Sequence, residues 1–386
     1  MKRFLCITAL VLSCACTLLA EDVIRIKTPL DKAMVSPLRA IQRIVLKMPI
    51  QEVEALWQEP MLLEQLPMDQ NPTWPAGVPF KFSFDGDRDS VRFQFNLADN
   101  PELKDAMVIP HAHRNFTIQN LIPGKTYYWN VQSVKKDGTI TAESKLQTFT
   151  VEDIGWRVMY VPNMWNVRDL GGKQAMNGLR IPYGRVYRSG GLNDNSSDKG
   201  KTPGKVLLNE EGLSIVRDIM KLRCEIDLRS DLETGPMTQS PAGSDVKYVH
   251  AQVGSYAGSL YPEKGMEMYR NMLRNFADPA NYPIIFHCIA GADRTGTTAF
   301  ILEALVGCSA DDIRMDYVYT SFHSVRRFKL IDELLNGLEK YGTPEEPLQY
   351  KAERFLLAAG LTKEEILAIQ RNILGTDAFP VSPVLK

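Results

Sequence analysis

Two different hydrophobic patterns divide this chain, and one kind of domain cannot hold both. From Asn71 to about Val151, apolar and polar residues alternate with a period of two, as they do along Phe80–Phe84 and Val91–Phe95. This alternation is typical of half-buried β-strands. From Gly155 to Lys386, short apolar strand signals alternate with helical ones. The second pattern favours an α/β domain with a central, mostly parallel sheet, so we expect a multidomain protein.

Composition excludes several classes of function. The chain has 386 residues with 45 Lys and Arg against 46 Asp and Glu, which gives a formal net charge of −1. A near-neutral chain is not built as a general nucleic-acid binder, and we expect no nucleic-acid partner. The 5 His and 6 Cys leave little material for zinc clusters. We expect neither a metal nor a cofactor.

The first twenty residues resemble a secretory signal. Lys2 and Arg3 precede the apolar run Phe4–Leu12, and small residues follow up to Ala20. This order predicts a signal peptide over residues 1–20 and an exported protein, periplasmic or secreted. The stretch around Cys14 also resembles a bacterial lipobox, so a lipid anchor is the alternative, and the only membrane attachment that we expect. Three cysteines lie beyond this segment, and an odd number in an exported chain predicts a free thiol. They are Cys224, Cys288 and Cys308.

Residues 21–70 are interpreted as a leader or linker with helical patches. Residues 71–153 are expected to form an all-β sandwich, because turn signals separate the alternating strands. Within it, the segment Leu121–Val131 places Tyr127, Trp129 and Val131 on one face of a strand. This segment resembles the tyrosine-corner region of fibronectin type III domains, with Tyr127 at the corner position. The resemblance implies support or partner contact rather than catalysis.

The chemistry of the chain is concentrated at one junction in the predicted α/β domain, residues 154–386. The short strand ending at Phe286 is followed by the loop His287–Gly296, and a helix begins near Thr295. Such a strand–loop–helix junction directs backbone N–H groups at one point, where the helix N-terminus adds positive charge. Arg294 can hold two phosphate oxygens through its planar fork. Cys288 would lie beneath the bound phosphorus, and the same positive groups should favour its thiolate.

The loop resembles the signature of the protein tyrosine phosphatase superfamily, in the variant found in bacterial tyrosine and dual-specificity phosphatases. Three further segments agree with that family in order and spacing. They are Asn166–Gly172, Gly184–Ser189, and Glu225–Ser230 with Glu233. The resemblance covers most of residues 155–386 and implies a cysteine-dependent phosphatase domain.

The resemblance also implies a two-step mechanism and a set of residues. Cys288 would attack phosphorus, and water would then hydrolyse the cysteinyl-phosphate. The phosphoryl oxygens would be held by Arg294 and by the loop amides of Ile289, Ala290, Gly291, Ala292, Asp293 and Arg294. His287 would orient the loop, and Thr295 would stabilise the leaving sulfur. Asp293 is the first candidate for the general acid, with Asp227 and Asp231 as alternatives.

Charged residues in the other segments are candidates for the substrate pocket, with ordinary structural ion pairing as their alternative role. These candidates are Arg168, Asp169, Arg188, Arg229 and Asp231. Within the loop, Ala292 occupies a position where relatives commonly carry Lys. The apolar pair Ile289 and Ala292 makes highly charged inositol substrates less favoured.

The sequence therefore predicts hydrolysis of phosphotyrosine, with phosphoserine and phosphothreonine as further substrates. The first alternative is a phosphatase of inositol phosphates or another small phosphoester. A catalytically silent phosphate-binding or adhesion module is the alternative from another class, and a sulfurtransferase is a third. Intact Cys288 and Arg294 argue against a silent module, and the Asp-Arg-Thr-Gly ending favours phosphate over sulfur chemistry. The sequence does not define the oligomeric state.

Overall fold

The computed structural model describes residues 23–57, 73–87, 91–193 and 205–386. The predicted signal segment over residues 1–20, including Cys14, lies outside the described residues. So do residues 58–70 of the predicted leader. Among the helices of the described ranges, none combines the length and the apolar character needed to cross a membrane.

Two antiparallel sheets form the β part of the chain. Their strands are β1 (Val23–Thr28), β2 (Ala33–Val35), β3 (Val78–Asp85), β4 (Val91–Ala98), β5 (Met107–Ile109), β6 (Asn115–Ile118), β7 (Thr126–Lys135), β8 (Ile140–Glu143) and β9 (Gln147–Val151). One sheet has the order β1-β3-β6. The other has the order β2-β9-β7-β4-β5, and β8 pairs with β7. The predicted alternation in β3 is confirmed, because its residues are buried and exposed in turn.

Aromatic side chains fill the space between these two sheets. Phe80 of β3 lies 4.9 Å from Phe95 and 5.0 Å from Trp129, measured between ring centroids. Both partners belong to the other sheet, so their rings join the two layers. Tyr127 stacks on Phe149 at 5.5 Å. The expected all-β sandwich and its resemblance to a fibronectin type III domain both stay predictions.

The compact units divide the chain differently from the predicted boundaries. One unit contains residues 23–33, Pro79–Phe116 and Tyr127–Phe149, and the other contains Met34–Val78, Thr117–Thr126 and Thr150–Lys386. The reason is pairing: β1, from the predicted leader, is hydrogen-bonded to β3. The rest of the described leader belongs to the second unit, where it forms α1 (Ala40–Lys47) and α2 (Ile50–Leu56).

A six-stranded sheet is the centre of the second unit. Its strands are β10 (Arg157–Val158), β11 (Arg168–Asp169), β12 (Val186–Ser189), β13 (Cys224–Asp227), β14 (Lys247–His250) and β15 (Ile284–His287). The order is β10-β11-β12-β15-β13-β14. The four strands from β12 to β14 in that order are parallel, and β10 and β11 run antiparallel at one edge. The expected mostly parallel sheet is therefore present. The carboxyl ends of its inner strands meet, with Asp227 opposite His287.

Helices cover this sheet. They are α3 (Glu210–Ser214), continued by a π-turn over Ile215–Ile219, α4 (Asp231–Thr234), α5 (Ala257–Leu260), α6 (Glu263–Ala277), α7 (Asp293–Leu305), α8 (Ala310–Tyr319), α9 (Phe328–Leu338), α10 (Leu348–Ala358) and α11 (Lys363–Leu374). The side chain of Ser309 caps α8 and that of Thr362 caps α11. Nearly every residue of α7 is buried, so this helix is enclosed by its neighbours. That enclosure fixes the position of the loop that precedes it.

We predict that Phe80→Ala destabilises the β unit by about 3–5 kcal/mol, because it removes a fully buried ring and leaves a cavity between the sheets. Urea unfolding followed by circular dichroism would measure the loss. Val108→Ala, at a half-exposed position on β5, is the control, and we expect it to leave the transition in place. Equal transitions for the two variants would contradict this account of the core.

Candidate active site

The segment between β15 and α7 is a tight loop whose carbonyl groups are held on its outer side. The Ile289 carbonyl accepts a hydrogen bond from the Gly191 N–H at 2.9 Å. The Gly291 carbonyl accepts from the Arg188 guanidinium at 2.8 Å and from the Asn166 side-chain amide at 2.9 Å. Because a peptide N–H points opposite to its C=O, the loop N–H groups face the inside. Successive inward N–H groups at a helix N-terminus form an anion-binding cradle.

Gly291 allows the loop to close on itself. Its φ is +67°, a conformation that side-chain-bearing residues rarely adopt. A Cβ atom at this position would lie 2.6 Å from the Gly190 nitrogen and would overlap the Ser189 carbonyl. Close approach of the loop to the end of β12 therefore requires glycine here.

Cys288 lies at the base of the cradle and is only 4% exposed. Burial by itself would raise the pKa of its thiol. The Thr295 hydroxyl and N–H, the Arg294 charge and the Ala292 N–H outweigh burial, so the pKa lies below its ordinary value. The Thr295 side chain is completely buried beside Cys288, where its hydroxyl lowers the pKa of the thiol. A buried sulfur with a lowered pKa is the electrostatic signature of a nucleophilic cysteine.

Arg294 is held in place by a carboxylate from another helix. Its two terminal nitrogens donate to the two oxygens of Glu233 on α4, at 2.6 and 3.0 Å. Glu233 in turn accepts from the N–H and hydroxyl of Ser230. Although burial would raise the pKa of Glu233, these donors lower it to about 2. The bidentate pair therefore persists at neutral pH and orients the guanidinium.

His287 is completely buried and directly precedes Cys288. Its Nε2 lies 2.9 Å from a Glu225 oxygen, and its Nδ1 lies 3.2 Å from the Cys288 carbonyl. Burial would lower the pKa of the imidazole, but the charges of Asp227 and Glu225 raise it overall. The ring is thus tied both to the sheet and to the loop, which fits the orienting role expected for it.

The same buried residues are the metal-ligand candidates of the described chain. Ligand atoms of Glu225, Asp227 and His287 lie within 4.8 Å of one another. Each is already paired: His287 with Glu225, and Asp227 with Arg229. A cation would have to displace Arg229 from Asp227, so the donor set fits a support for the loop better than a metal centre.

Asp293 is the first residue of α7, and its side chain reaches solvent at the edge of the cradle. It is 42% exposed and lies 3.4 Å from the Arg326 Nε. Its Oδ1 also accepts a hydrogen bond from the Tyr256 hydroxyl. Burial and the neighbouring Asp293 raise the pKa of Tyr256, which keeps this phenol protonated as a donor. The exposure of Asp293 at the start of the helix and its two orienting contacts are compatible with proton transfer by this residue.

The two alternative acids occupy different environments. Asp227 is fully buried and accepts three hydrogen bonds from the Arg229 side chain. Burial would raise the pKa of Asp227, but His287 and Arg229 lower it to about 2. A carboxylate so strongly ionised and enclosed is a poor proton donor. Asp231 is 89% exposed and lies 3.4 Å from the His250 imidazole.

Four of the five candidate pocket residues lie in the interior instead of lining a pocket. Arg168 and Arg188 both pair with Asp316 of α8. Asp169 pairs with Arg157 at 3.3 Å and also accepts from the N–H groups of Gly171 and Gly184. Arg229 pairs with Asp227, as described above. Their burial and their charged partners fit ordinary structural ion pairing, which is the alternative role considered for them. Asp231 stays the exposed candidate.

Exposed apolar side chains flank the cradle. Ile289, within the loop, is 36% exposed, and Trp165 is 39% exposed. The Trp165 carbonyl accepts a hydrogen bond from the Gly190 N–H, and the N–H of the next residue, Gly191, donates to the Ile289 carbonyl. Trp165 therefore lies at the edge of the loop. Its ring packs on the His323 imidazole at 4.6 Å. Leu232, beside the Arg294 partner Glu233, is 82% exposed. The entrance to the cradle is therefore partly apolar.

Several supporting residues have no role assigned by the sequence. Glu225, Glu233 and Asn166 lie in the segments that resemble the family. The resemblance therefore indicates that they lie near the site, but it does not indicate which residues they contact. Tyr256 and Arg326 lie in stretches without any motif. Their contact with Asp293 depends on how distant loops fold, and the sequence carries no local signal for it.

The chain belongs to the tyrosine phosphatase family, which it matches over residues 159–375. A curated protein of Cupriavidus necator with a provisional tyrosine-protein phosphatase name is 31% identical over 176 residues. That alignment covers 40% of this chain and 59% of the relative, so the chain spans less than two thirds of the relative.

Two solved structures show a distant likeness. The core catalytic domain of the PP-IP phosphatase Siw14 from S. cerevisiae, in complex with citrate, is 20% identical, with a TM-score of 0.27. The matched part covers 38% of this chain and 78% of the Siw14 chain. A second structure, of the Siw14 catalytic core, is 18% identical, with a TM-score of 0.25, and covers 36% of this chain and 73% of that one. These similarities are too distant to assign a substrate.

We predict that Thr295→Val raises the pKa of Cys288, because it removes a hydroxyl that stabilises the thiolate. The rate of alkylation by iodoacetamide, measured against pH, reports this pKa, since only the thiolate reacts. The midpoint of the profile should move to higher pH. Thr298→Val, about one turn later on the same buried helix, is the matched control and should leave the midpoint in place. Coincident profiles for all three proteins would refute the role of Thr295.

Proposed function

We propose that this protein is a cysteine-dependent phosphomonoester hydrolase that acts through a cysteinyl-phosphate. The observation that carries the proposal is the low-pKa Cys288 at the base of the N–H cradle, with Arg294 held in position by Glu233. The cradle and the guanidinium supply positive charge where a phosphoryl group develops negative charge. Membership of the tyrosine phosphatase family supports the same chemistry.

In the first step, the Cys288 thiolate attacks phosphorus, so that an S–P bond forms and the P–O ester bond breaks. The departing oxygen takes a proton from the Asp293 carboxyl group, which avoids expulsion of an unprotonated alkoxide or phenolate. In the second step, water attacks the same phosphorus and gives its proton to the Asp293 carboxylate. The S–P bond breaks, phosphate leaves, and the Thr295 hydroxyl stabilises the restored thiolate.

We propose phosphotyrosine on protein as the preferred substrate. The apolar side chains of Trp165 and Ile289 at the entrance suit an aryl ring more than a polyanion. Burial, with a smaller contribution from the Arg326 charge, lowers the pKa of His323 and favours its neutral form beside Trp165. Phosphoserine, phosphothreonine, inositol phosphates and other small phosphoesters are the alternatives that the assay below distinguishes.

We also propose that the protein is exported, on the strength of the signal-like residues 1–20. Cys224, Cys288 and Cys308 are all free thiols in the structure, which agrees with a fold that does not depend on disulfides. The β unit is proposed to support the enzyme or contact a partner, as its expected resemblance implies.

Cys288→Ser should abolish phosphate release, because serine supplies no thiolate to form the intermediate. The full-length protein and this variant would be assayed with reductant and without metal. Each would be offered a phosphotyrosine peptide, a phosphoserine peptide and inositol hexakisphosphate. Cysteine-dependent release mainly from the tyrosine peptide is the expected result. Preference for the inositol ester would replace the proposed substrate, and absence of release from all three would favour a binding module.

Asp293→Asn should lower kcat by about 10²–10⁴-fold for a leaving group of high pKa, because the general acid is lost. The loss should be much smaller for an aryl phosphate whose leaving group departs without a proton. Asp231→Asn is the comparison variant, since it tests the exposed alternative acid. If Asp231→Asn shows the leaving-group dependence and Asp293→Asn does not, the assignment passes to Asp231.

A further inference from the structure

A stretch of chain outside the family match packs directly against the segments that hold the phosphate cradle. The family match begins at residue 159, whereas α1, α2 and Thr73 precede it by many residues. Apolar residues of α1 and α2 nonetheless share one core with α7 and α8. Trp57, just after α2, packs edge-on against Phe322, with 4.8 Å between ring centroids. The second compact unit, which contains the candidate site, thus includes part of the predicted leader.

Thr73 is the residue of this stretch that comes nearest to the cradle through hydrogen bonds. It is 1% exposed, and its hydroxyl oxygen accepts a hydrogen bond from the Asn166 backbone N–H at 2.9 Å. Asn166 is itself completely buried and has a φ of +59°. This left-handed conformation is uncommon for residues with a side chain, although Asn adopts it more readily than most, and the neighbouring contacts fix Asn166 in it.

The side chain of Asn166 is hydrogen-bonded directly to the loop. Its side-chain nitrogen donates to the Gly291 carbonyl at 2.9 Å and lies 3.4 Å from the Ala290 carbonyl. The same nitrogen lies 3.1 Å from the Thr320 hydroxyl, and the side-chain oxygen of Asn166 accepts from Arg168. One buried amide therefore fixes two successive loop carbonyls outward. Their orientation determines which way the adjoining N–H groups point.

The contacts of the neighbouring Trp74 hold Thr73 in place beside Asn166. The Trp74 indole N–H donates to the Met164 carbonyl at 2.9 Å, and its ring packs on Tyr160 at 4.9 Å. The Trp74 carbonyl accepts from the side chains of Arg39 and Gln42, at 2.9 and 3.0 Å. The connection from α1 to the 164–166 turn is thus made by directional bonds and not by apolar packing alone.

We propose that Thr73 is a positioning residue for the phosphate cradle, and that it acts through the backbone N–H and side-chain amide of Asn166. The inference rests on the proposed phosphatase function. Loss of the Thr73 hydroxyl leaves the buried Asn166 N–H without its acceptor, and the left-handed turn relaxes. The Asn166 amide then no longer holds the Gly291 and Ala290 carbonyls outward, and the cradle loses its shape.

The test compares Thr73→Val, which keeps the shape of the side chain but removes its hydroxyl, with Thr73→Ser, which restores the hydroxyl. In the full-length protein, Thr73→Val should lower kcat for a phosphotyrosine peptide about tenfold, the effect of one unsatisfied buried donor. KM should change little. Thr73→Ser should recover most of the rate. Circular dichroism would confirm that the variants are folded.

A second measurement does not depend on turnover. Iodoacetate, an anion that must enter the cradle to alkylate Cys288, should react more slowly with Thr73→Val than with Thr73→Ser. If Thr73→Val does not fold, Trp74→Phe, which keeps an aromatic ring but loses the N–H to Met164, should show the same slower alkylation. Alkylation and kcat equal to those of the unmodified protein in Thr73→Val would overturn the proposal. Absence of turnover with the expected alkylation difference would instead count against the phosphatase function alone.

Discussion

The site depends on a cluster of opposite charges buried behind the phosphate loop. Asp316 lies between Arg168 and Arg188, and Lys173 is 3.7 Å from the same carboxylate. Burying ions costs several kcal/mol each, so the cluster is tolerable only while every partner is present. Burial would raise the pKa of Asp316, but its cationic neighbours lower it and keep it charged. Since Arg188 also donates to the Gly291 carbonyl, the cluster fixes the loop as well as itself.

Because the loop is fixed in this way, its donors can offset the effect of burial on the pKa of Cys288. Enclosure of Cys288 opposes the thiolate, whereas the N–H groups, the Thr295 hydroxyl and Arg294 favour it and prevail. These donors stabilise the thiolate only while they are oriented, which is why the carbonyls must be held on the outside. Glu233 likewise orients Arg294, and the low pKa of Glu233 preserves this ion pair throughout the neutral range. Positive groups prepared in advance need no rearrangement when phosphate arrives.

Local pattern was enough to predict the elements that carry the chemistry. The Ile284–Phe286 strand signal, the loop and the following helix are present, although α7 already begins at Asp293. The partners of the charged residues could not be predicted, because Asp316 meets Arg168 and Arg188 only after the chain has closed. For the same reason, the sequence carries no local signal that β1 pairs with β3 across a long stretch of sequence. Both features depend on long-range pairing rather than on local propensity.

The central claim is that Cys288 carries the phosphoryl group during turnover. The most direct measurement is a rapid acid quench of the full-length protein turning over a phosphotyrosine peptide, followed by mass spectrometry of the fragment that contains Cys288. The account predicts a phosphate adduct on the Cys288 sulfur, which accumulates during turnover and disappears when the substrate is exhausted. Turnover with the adduct on another residue, or with no adduct at any time, would contradict it.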